Sequence, residues 1–293
     1  MLIALAVIVG LLLLVYGGAP LVIHSTLKLR GRPTVKLIGV QQMPPAVYEH
    51  FGRTAGGMQA CGFELMHYLL VPDMVPHAAA YVALWKNRVR GQMATAVVVF
   101  SGSPPQTPVR TTWYVEFLTK LTDAGNSSNH GGRAEGLAIL TNNGAERGSF
   151  KKTKAKDTLR ASWVQDPQQL YAIHLHREAH RAPPNATRYI PADGDDLDSF
   201  LDGTRFEFER QVRLGLFWHD VAIDSYRPTV AGAYRMTWSQ LPPIKQMLDS
   251  ADRRRAESIV ARLQSQPPPP LPPSVPITHE SPYKSPLPAV AAL

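Results

Sequence analysis

Three histidines lie within seven residues of one predicted helix, at His174, His176 and His180. His176 and His180 are four residues apart, so a helix places both imidazoles on one face, where they can share a metal ion. The helical zinc-protease motif also needs a glutamate directly after its first histidine, and Arg177 stands there instead. His219 is the third ligand that the sequence offers. A metal-dependent hydrolase built on these histidines is one interpretation; we favour an exposed, histidine-rich helix end with no metal and no cofactor.

Two charged segments also have the composition of binding sites. The acidic segment 193–198 contains four aspartates, but its spacing differs from that of a calcium loop and suits the start of a helix. The basic segments 151–160 and 253–255 either contact phosphates or simply face solvent. The sequence contains no G-x-S-x-G, Walker A or G-x-G-x-x-G motif. Cys61 has apolar neighbours, which predicts a core thiol rather than a nucleophile.

The first 23 residues contain no charged side chain and are mostly apolar. About twenty apolar residues in a helix span a hydrocarbon core of about 30 Å. A cleaved signal peptide usually has basic residues before its apolar core, and none are present here. We therefore predict a retained transmembrane anchor at residues 1–23. A signal peptide and a buried core helix are the alternatives.

Basic residues follow the apolar segment, and none precede it. Lys28, Arg30, Arg32 and Lys36 lie in a predicted juxtamembrane connector, residues 24–44. The positive-inside bias then predicts a single-pass protein with its body on the cytoplasmic side. The net charge is +8, and we expect the partner of the four basic residues to be the lipid bilayer rather than nucleic acid.

The body, residues 45–265, has the pattern of an α+β fold. Four β-prone segments joined by short loops predict an antiparallel sheet of four or five strands, at 63–71, 78–85, 93–101 and 109–120. Trp113, Val115 and Phe117 alternate with polar residues, so we expect them on the core face of a sheet whose other face is solvated. Helices are predicted at 46–58, 167–180, 193–212, 229–242 and 244–264, mainly in the C-terminal half that packs on the sheet.

The C-terminal segment is rich in proline. Ten of the last 27 residues are proline, and PPPPLPP predicts an extended polyproline II helix. We predict that residues 266–293 form a disordered tail. Its proline tract is either a ligand for a protein partner or a spacer.

These patterns together predict a membrane-anchored cytoplasmic α+β module that binds a partner or the membrane surface without catalysis. The membrane-bound metal-dependent hydrolase is the alternative. A tethered envelope protein of opposite topology is a third interpretation.

Overall fold

The computed structural model describes residues 2–75, 78–101, 110–123, 136–146, 150–183, 186–265 and 276–280. Its first helix is continuous and consists of α1 (Leu2–Leu13), one π-helical turn (Leu14–Gly18) and α2 (Ala19–Thr26). The other helices are α3 (Pro45–Ala60), α4 (Pro167–Arg181), α5 (Asp196–Arg213), α6 (Val230–Trp238) and α7 (Ile244–Ser265), with 3-10 turns at Val40–Gln42 and Val221–Ile223.

Polar caps begin two of these helices. The Asp166 carboxylate accepts a hydrogen bond from the Gln168 amide at 3.1 Å, directly before α4. The Thr229 hydroxyl accepts one from the Gly232 amide at 3.1 Å, directly before α6. The predicted positions of the helices in the body are therefore confirmed, with small shifts at their ends.

Strands form two sheets in the described part of the chain. They are β1 (Leu29–Arg30), β2 (Lys36–Leu37), β3 (Glu64–Val75), β4 (Ala78–Asn87), β5 (Gln92–Ser101), β6 (Arg110–Asp123), β7 (Leu137–Asn142), β8 (Lys156–Arg160), β9 (Ala186–Tyr189), β10 (Phe217–Asp220), β11 (Ser225–Pro228) and β12 (Ile277–Thr278). A small antiparallel sheet has the order β1-β11-β10, and the other nine strands form the large sheet. The α+β class is confirmed, but the expected antiparallel sheet of four or five strands is wrong. The large sheet is mixed, because β7–β8 and β9–β12 are parallel pairs.

Strand β6 organises the large sheet. Strands β3 to β6 form the predicted antiparallel meander. β6 extends beyond its pairing with β5, and Lys120 and Leu121 pair both with β7 and with β9. Those two strands therefore lie on opposite edges of β6, and β9 continues the line of β5. The additional strands come from distant parts of the chain, which local patterns do not connect.

Both faces of the large sheet are covered by helices. One face carries Ala96, Val98 and Phe117, which pack in one cluster with residues of α3, α4 and α7. The opposite face carries Val82 and Val97, whose cluster includes side chains of α5. The expected solvated face is therefore wrong, because α5 covers it.

The alternating residues of β6 lie on the predicted core face, with one exception. Val115 and Phe117 are 1% and 0% exposed, whereas Trp113 is 47% exposed. The Trp113 ring stacks on the imidazole of His50 in α3, with ring centres 5.8 Å apart. Trp113 therefore lies at the margin of the core, where α3 ends its cover of the sheet.

The predicted connector, residues 24–44, is part of the folded body. It contributes β1 to the small sheet and β2 to the large sheet. Leu29 of β1 shares a buried cluster with Tyr226 and with Phe208 of α5. The first helix also continues past the predicted anchor end at residue 23, to Thr26.

A short part of the predicted disordered tail belongs to the large sheet. The Arg188 amide donates to the Pro276 carbonyl at 2.8 Å, and the Ile190 amide donates to the Thr278 carbonyl at 3.1 Å. The prediction of a disordered tail is therefore wrong for residues 276–280, because β9 offers an open edge to them. The rest of the predicted tail lies outside the described residues, including the PPPPLPP tract: 266–275 and 281–293.

Candidate membrane-docking surface

The first helix is apolar and exposed along most of its length. Among the described helices it is the one that is long and apolar enough to cross a membrane, a test that signal sequences and some core helices also pass. Only 6% of its segment from Val9 to Thr26 is buried. Ile3 and Leu13 are 82% and 69% exposed. A core helix would be mostly buried, so this apolar surface is available to lipid or to another protein.

The π-helical turn presents a backbone carbonyl to a donor from the body. The Ala19 amide bonds to the Leu14 carbonyl, five residues back. Pro20 has no N–H, so the usual α-helical donor to the Tyr16 carbonyl is missing. The indole Nε1 of Trp238 donates to this carbonyl at 2.9 Å. A backbone acceptor inside an apolar helix is thereby satisfied by the body.

Helix α6 runs antiparallel to α2. Nδ1 of His24 lies 2.8 Å from the carbonyl oxygen of Pro228, just before α6 begins. In the middle of α6, the Tyr234 hydroxyl donates to the Gly17 carbonyl at 3.3 Å. The end of α6 bonds to the π-helical turn, as described above. The turn between α6 and α7 therefore begins level with Tyr16, well inside the apolar segment.

The turn between α6 and α7 is itself apolar. Its apolar tip consists of Trp238, Leu241, Pro242, Pro243, Ile244 and Met247. Trp238 and Met247 are 42% and 68% exposed, and both prolines are exposed as well. Residues 236–248 contain one charged side chain, Lys245, whose Nζ pairs with Asp249 at 2.5 Å. Exposed apolar side chains beside an exposed apolar helix indicate an interaction surface.

No family model, no curated protein and no solved structure matches this chain.

The four basic residues predicted to contact the membrane surface are exposed and lie on different elements. Lys28 closely follows the first helix, and Arg30 lies on β1. Arg32 pairs with Asp202 of α5 at 2.5 Å. Lys36 lies on β2, at the edge of the large sheet. Lys28 and Arg30 therefore remain nearest to the apolar helix along the chain, while the charge of Arg32 is already compensated within the body.

The predicted metal histidines are not brought together. His176 is half-buried and His180 is exposed on α4, and Nδ1 of His180 lies 2.8 Å from the His176 carbonyl oxygen. His219 lies on β10 of the small sheet, where it pairs with Asp224 at 2.9 Å and stacks on Tyr226. Within the described ranges, no group of three His, Cys, Asp or Glu side chains is arranged to hold a metal ion. The geometry therefore lends no support to a metal-dependent hydrolase.

His174 belongs to a buried network between α4 and the large sheet. Its Nε2 lies 2.9 Å from the Thr119 hydroxyl, and its Nδ1 lies 3.0 Å from the Thr141 hydroxyl. Arg177 donates to Thr141 at 2.7 Å, which leaves the Thr141 proton to be donated to Nδ1. This arrangement suits a neutral imidazole with its proton on Nε2. Burial, together with two nearby guanidinium charges, lowers the pKa of His174 to about 3.

Glu178 lies one turn after His174 and continues the same network. Its Oε1 accepts hydrogen bonds from Nε and Nη2 of Arg188, each at 2.5 Å. Its Oε2 accepts one from the side-chain Nε2 of Gln92 at 2.5 Å. The Tyr171 hydroxyl donates to Oε1 of the same Gln92 side chain at 2.6 Å. The network joins α4 to four strands, β5, β6, β7 and β9. Its geometry therefore orients the helix on the sheet.

The acidic and basic segments have structural contacts. Asp196 of the acidic segment is fully buried and pairs with Lys86 of β4 at 2.9 Å. Lys152 and Arg160 of the basic segment pair with Asp252 of α7 at 2.8 and 2.9 Å. These ion pairs attach α5 and α7 to the large sheet, so both segments take part in the packing of the body.

Two nucleophilic side chains of the body have altered pKa values, half-buried Cys61 and buried Lys120. Burial raises the pKa of Cys61 to about 11, so the residue is a thiol at neutral pH. Lys120 is buried beneath α5, where burial lowers its pKa to about 7. Its Nζ lies 3.4 Å from the Ser199 hydroxyl and 5.4 Å from the centre of the Tyr189 ring. Sequence patterns did not identify Lys120, because its environment depends on the cover by α5.

Proposed function

We propose that this chain is a single-pass membrane protein whose first helix anchors a non-enzymatic α+β binding module to the bilayer. The observation that carries this proposal is the exposure of an uncharged helix that joins the body through α2 and the π-helical turn. Exposed apolar area is unfavourable in water by about 25 cal/mol per Å². A bilayer removes this cost along α1.

We place the body on the cytoplasmic side. None of the first 27 residues is Lys or Arg, whereas Lys28, Arg30, Arg32 and Lys36 follow. This asymmetry supports a cytoplasmic body through the positive-inside bias. Lys28 and Arg30 then lie close to anionic lipid headgroups, where a basic residue contributes about 1 kcal/mol.

A binding role is favoured over catalysis because the buried polar side chains of the body hold its helices on the sheet. His174 and Glu178 are buried between α4 and the large sheet, and Lys120 is buried beneath α5. The proline tract offers a site for a protein partner instead. It lies between α7 and β12 along the chain, and polyproline II helices bind grooves lined by aromatic side chains. In this proposal the lipid bilayer and a protein that binds the tract are the two partners.

Carbonate extraction tests the anchor. We expect the full chain to remain in the membrane pellet, because an apolar span holds independently of headgroup charge. Val7→Arg combined with Leu11→Arg should release it, since each charge at a helix centre costs about 2.5–3.5 kcal/mol on insertion. Val89→Arg, in the exposed turn between β4 and β5, is the matched control and should stay in the pellet.

Two outcomes would contradict the anchor. Release of the native chain by carbonate would show that the helix does not span the bilayer. A mature N-terminus beyond residue 20 would show that the apolar segment is a cleaved signal peptide.

A further inference from the structure

We propose that the apolar tip between α6 and α7 inserts into the interfacial layer of the bilayer beside the anchor. This inference rests on the proposed membrane anchoring and adds a second contact between the body and lipid. The body would then be partly embedded rather than suspended from its anchor.

The position of α6 along the apolar segment supports this insertion. Helix α6 docks along the first helix between Tyr16 and His24. Residues 16–23 belong to the uncharged apolar segment, so the part of the first helix beside the end of α6 is itself apolar. A bilayer that covers this part of the helix also receives the end of α6.

Known interfacial segments lie about 5–10 Å into the boundary between headgroups and acyl chains, and we place the apolar tip at this depth. Because α6 runs antiparallel to α2, its C-terminal end and the apolar tip are the parts of the body that lie deepest in the membrane. The residues at the deepest point are therefore those whose exposure in water is otherwise unfavourable.

The chemistry of the tip fits this depth. The Trp238 indole already donates its N–H to the Tyr16 carbonyl at 2.9 Å, so it carries no unpaired donor into the apolar layer. Tryptophan is enriched at this level of membranes. Lys245 is paired with Asp249 on the side of α7 that returns to the body, and its long stem can keep the charge near the headgroups.

Continuity with the anchor decides between lipid and a protein as the occupant of this surface. The apolar tip and the exposed side chains of α1 lie on the same helix assembly, joined by the hydrogen bonds of Trp238 and Tyr234. A bilayer covers both surfaces at once. A second copy of the chain would have to match both, and it is an outcome that the experiment separates.

Depth-dependent quenching of a fluorescent label tests the insertion. In a Cys61→Ser background, Met247→Cys labels the tip, Leu11→Cys labels the anchor and Val89→Cys labels an exposed turn of the body. The full chain is reconstituted into vesicles of phosphatidylcholine and phosphatidylserine. We expect labels at 11 and 247 to be quenched by lipid-attached nitroxide and shielded from iodide. The label at 89 should show the opposite pattern, with several-fold stronger quenching by iodide.

Each remaining outcome overturns the inference in a distinguishable way. If the label at 247 behaves like that at 89 while the chain resists carbonate, the tip stays in water and the anchor stands. If the label at 247 is shielded from both quenchers, protein covers the tip and a second copy is its occupant. If carbonate releases the chain, the anchor and the insertion both fail.

Discussion

The polar residues of α4 divide according to the helix face on which they lie. Leu170, His174 and Glu178 follow one another at intervals of four residues and form the buried face. His176 and His180 lie on another face. The spacing of these residues in the sequence is enough to assign them to two faces of the helix, because helical periodicity is a local property. Which face meets the sheet depends on strands paired over long distances in the chain, so the sequence alone does not show that His174 is the buried histidine of α4.

The buried imidazole of His174 predicts a loss of stability in acid. The folded protein resists protonating it until about pH 3, whereas the unfolded chain takes up the proton near pH 6.5. The free energy of unfolding should therefore be steady above pH 6.5 and fall as the pH drops below it, by about 2 kcal/mol at pH 5. His50, whose pKa burial lowers to about 4, adds to the loss with the same sign.

Chemical unfolding of the full chain in detergent at several pH values checks this dependence. His174→Gln should be less stable at pH 7.5, because it loses a hydrogen bond to a threonine, but its stability should change less between pH 6.5 and 5. His180→Gln removes an exposed imidazole and should keep the wild-type slope. Equal slopes in all three proteins would show that His174 does not control the acid response.

The aromatic residues of β6 predict unequal costs of truncation. Phe117 is fully buried between the sheet and α4, so Phe117→Ala should lower the free energy of unfolding by about 3–5 kcal/mol. Trp113 is nearly half exposed, and Trp113→Ala should cost clearly less despite its larger side chain. Urea unfolding followed by circular dichroism measures both. A larger cost at Trp113 would contradict its place at the margin of the core.

At the level of elements, local sequence signals predict where the helices lie. They do not predict which distant segments come into contact. Caps at Asp166 and Thr229 and the periodicity of apolar residues place the helices of the body close to their observed bounds. The spacing of Tyr16 and Pro20 marks a carbonyl that lacks its α-helical donor, and this signal was available in the sequence. The identity of the donor, Trp238, was not, because it lies 222 residues away.

The short strand β12 predicts a stabilising role for part of the C-terminal segment. Ending the chain after residue 275 removes the hydrogen bonds from the Arg188 and Ile190 amides, each worth about 1 kcal/mol. We expect a loss of about 2 kcal/mol in the free energy of unfolding. Ending the chain after residue 280 retains β12 and should leave stability unchanged. Equal melting temperatures for the two truncated proteins would show that β12 contributes nothing to the fold.

At the level of the whole molecule, the sequence predicted the α+β class but underestimated the number of strands in the large sheet. The meander β3 to β6 is joined by short loops, so its four strands were visible. Strands β2, β8, β9 and β12 have five residues or fewer. Segments of that length carry too little periodicity to be distinguished from loops, and their partners are non-local. The cover of the second face of the large sheet by α5 is also a contact between segments far apart in the chain, so local patterns did not predict it.

The proposed architecture links the anchor to the body through α6, and so predicts one topology for the whole chain. With a helix that spans the bilayer and basic residues after it, the body C-terminal to Lys28 should lie at the cytoplasmic face of the membrane. A reporter belongs after Leu293 rather than after α7, because β12 is part of the fold.

Protease protection of an epitope tag after Leu293 tests the central claim most directly. Sealed right-side-out and inside-out membrane vesicles are treated with protease, with and without detergent. The account predicts that the tag is protected in right-side-out vesicles, digested in inside-out vesicles and digested in both after detergent. Digestion in right-side-out vesicles with protection in inside-out vesicles would place the body on the opposite side. Recovery of the tag in the soluble fraction would contradict membrane anchoring itself.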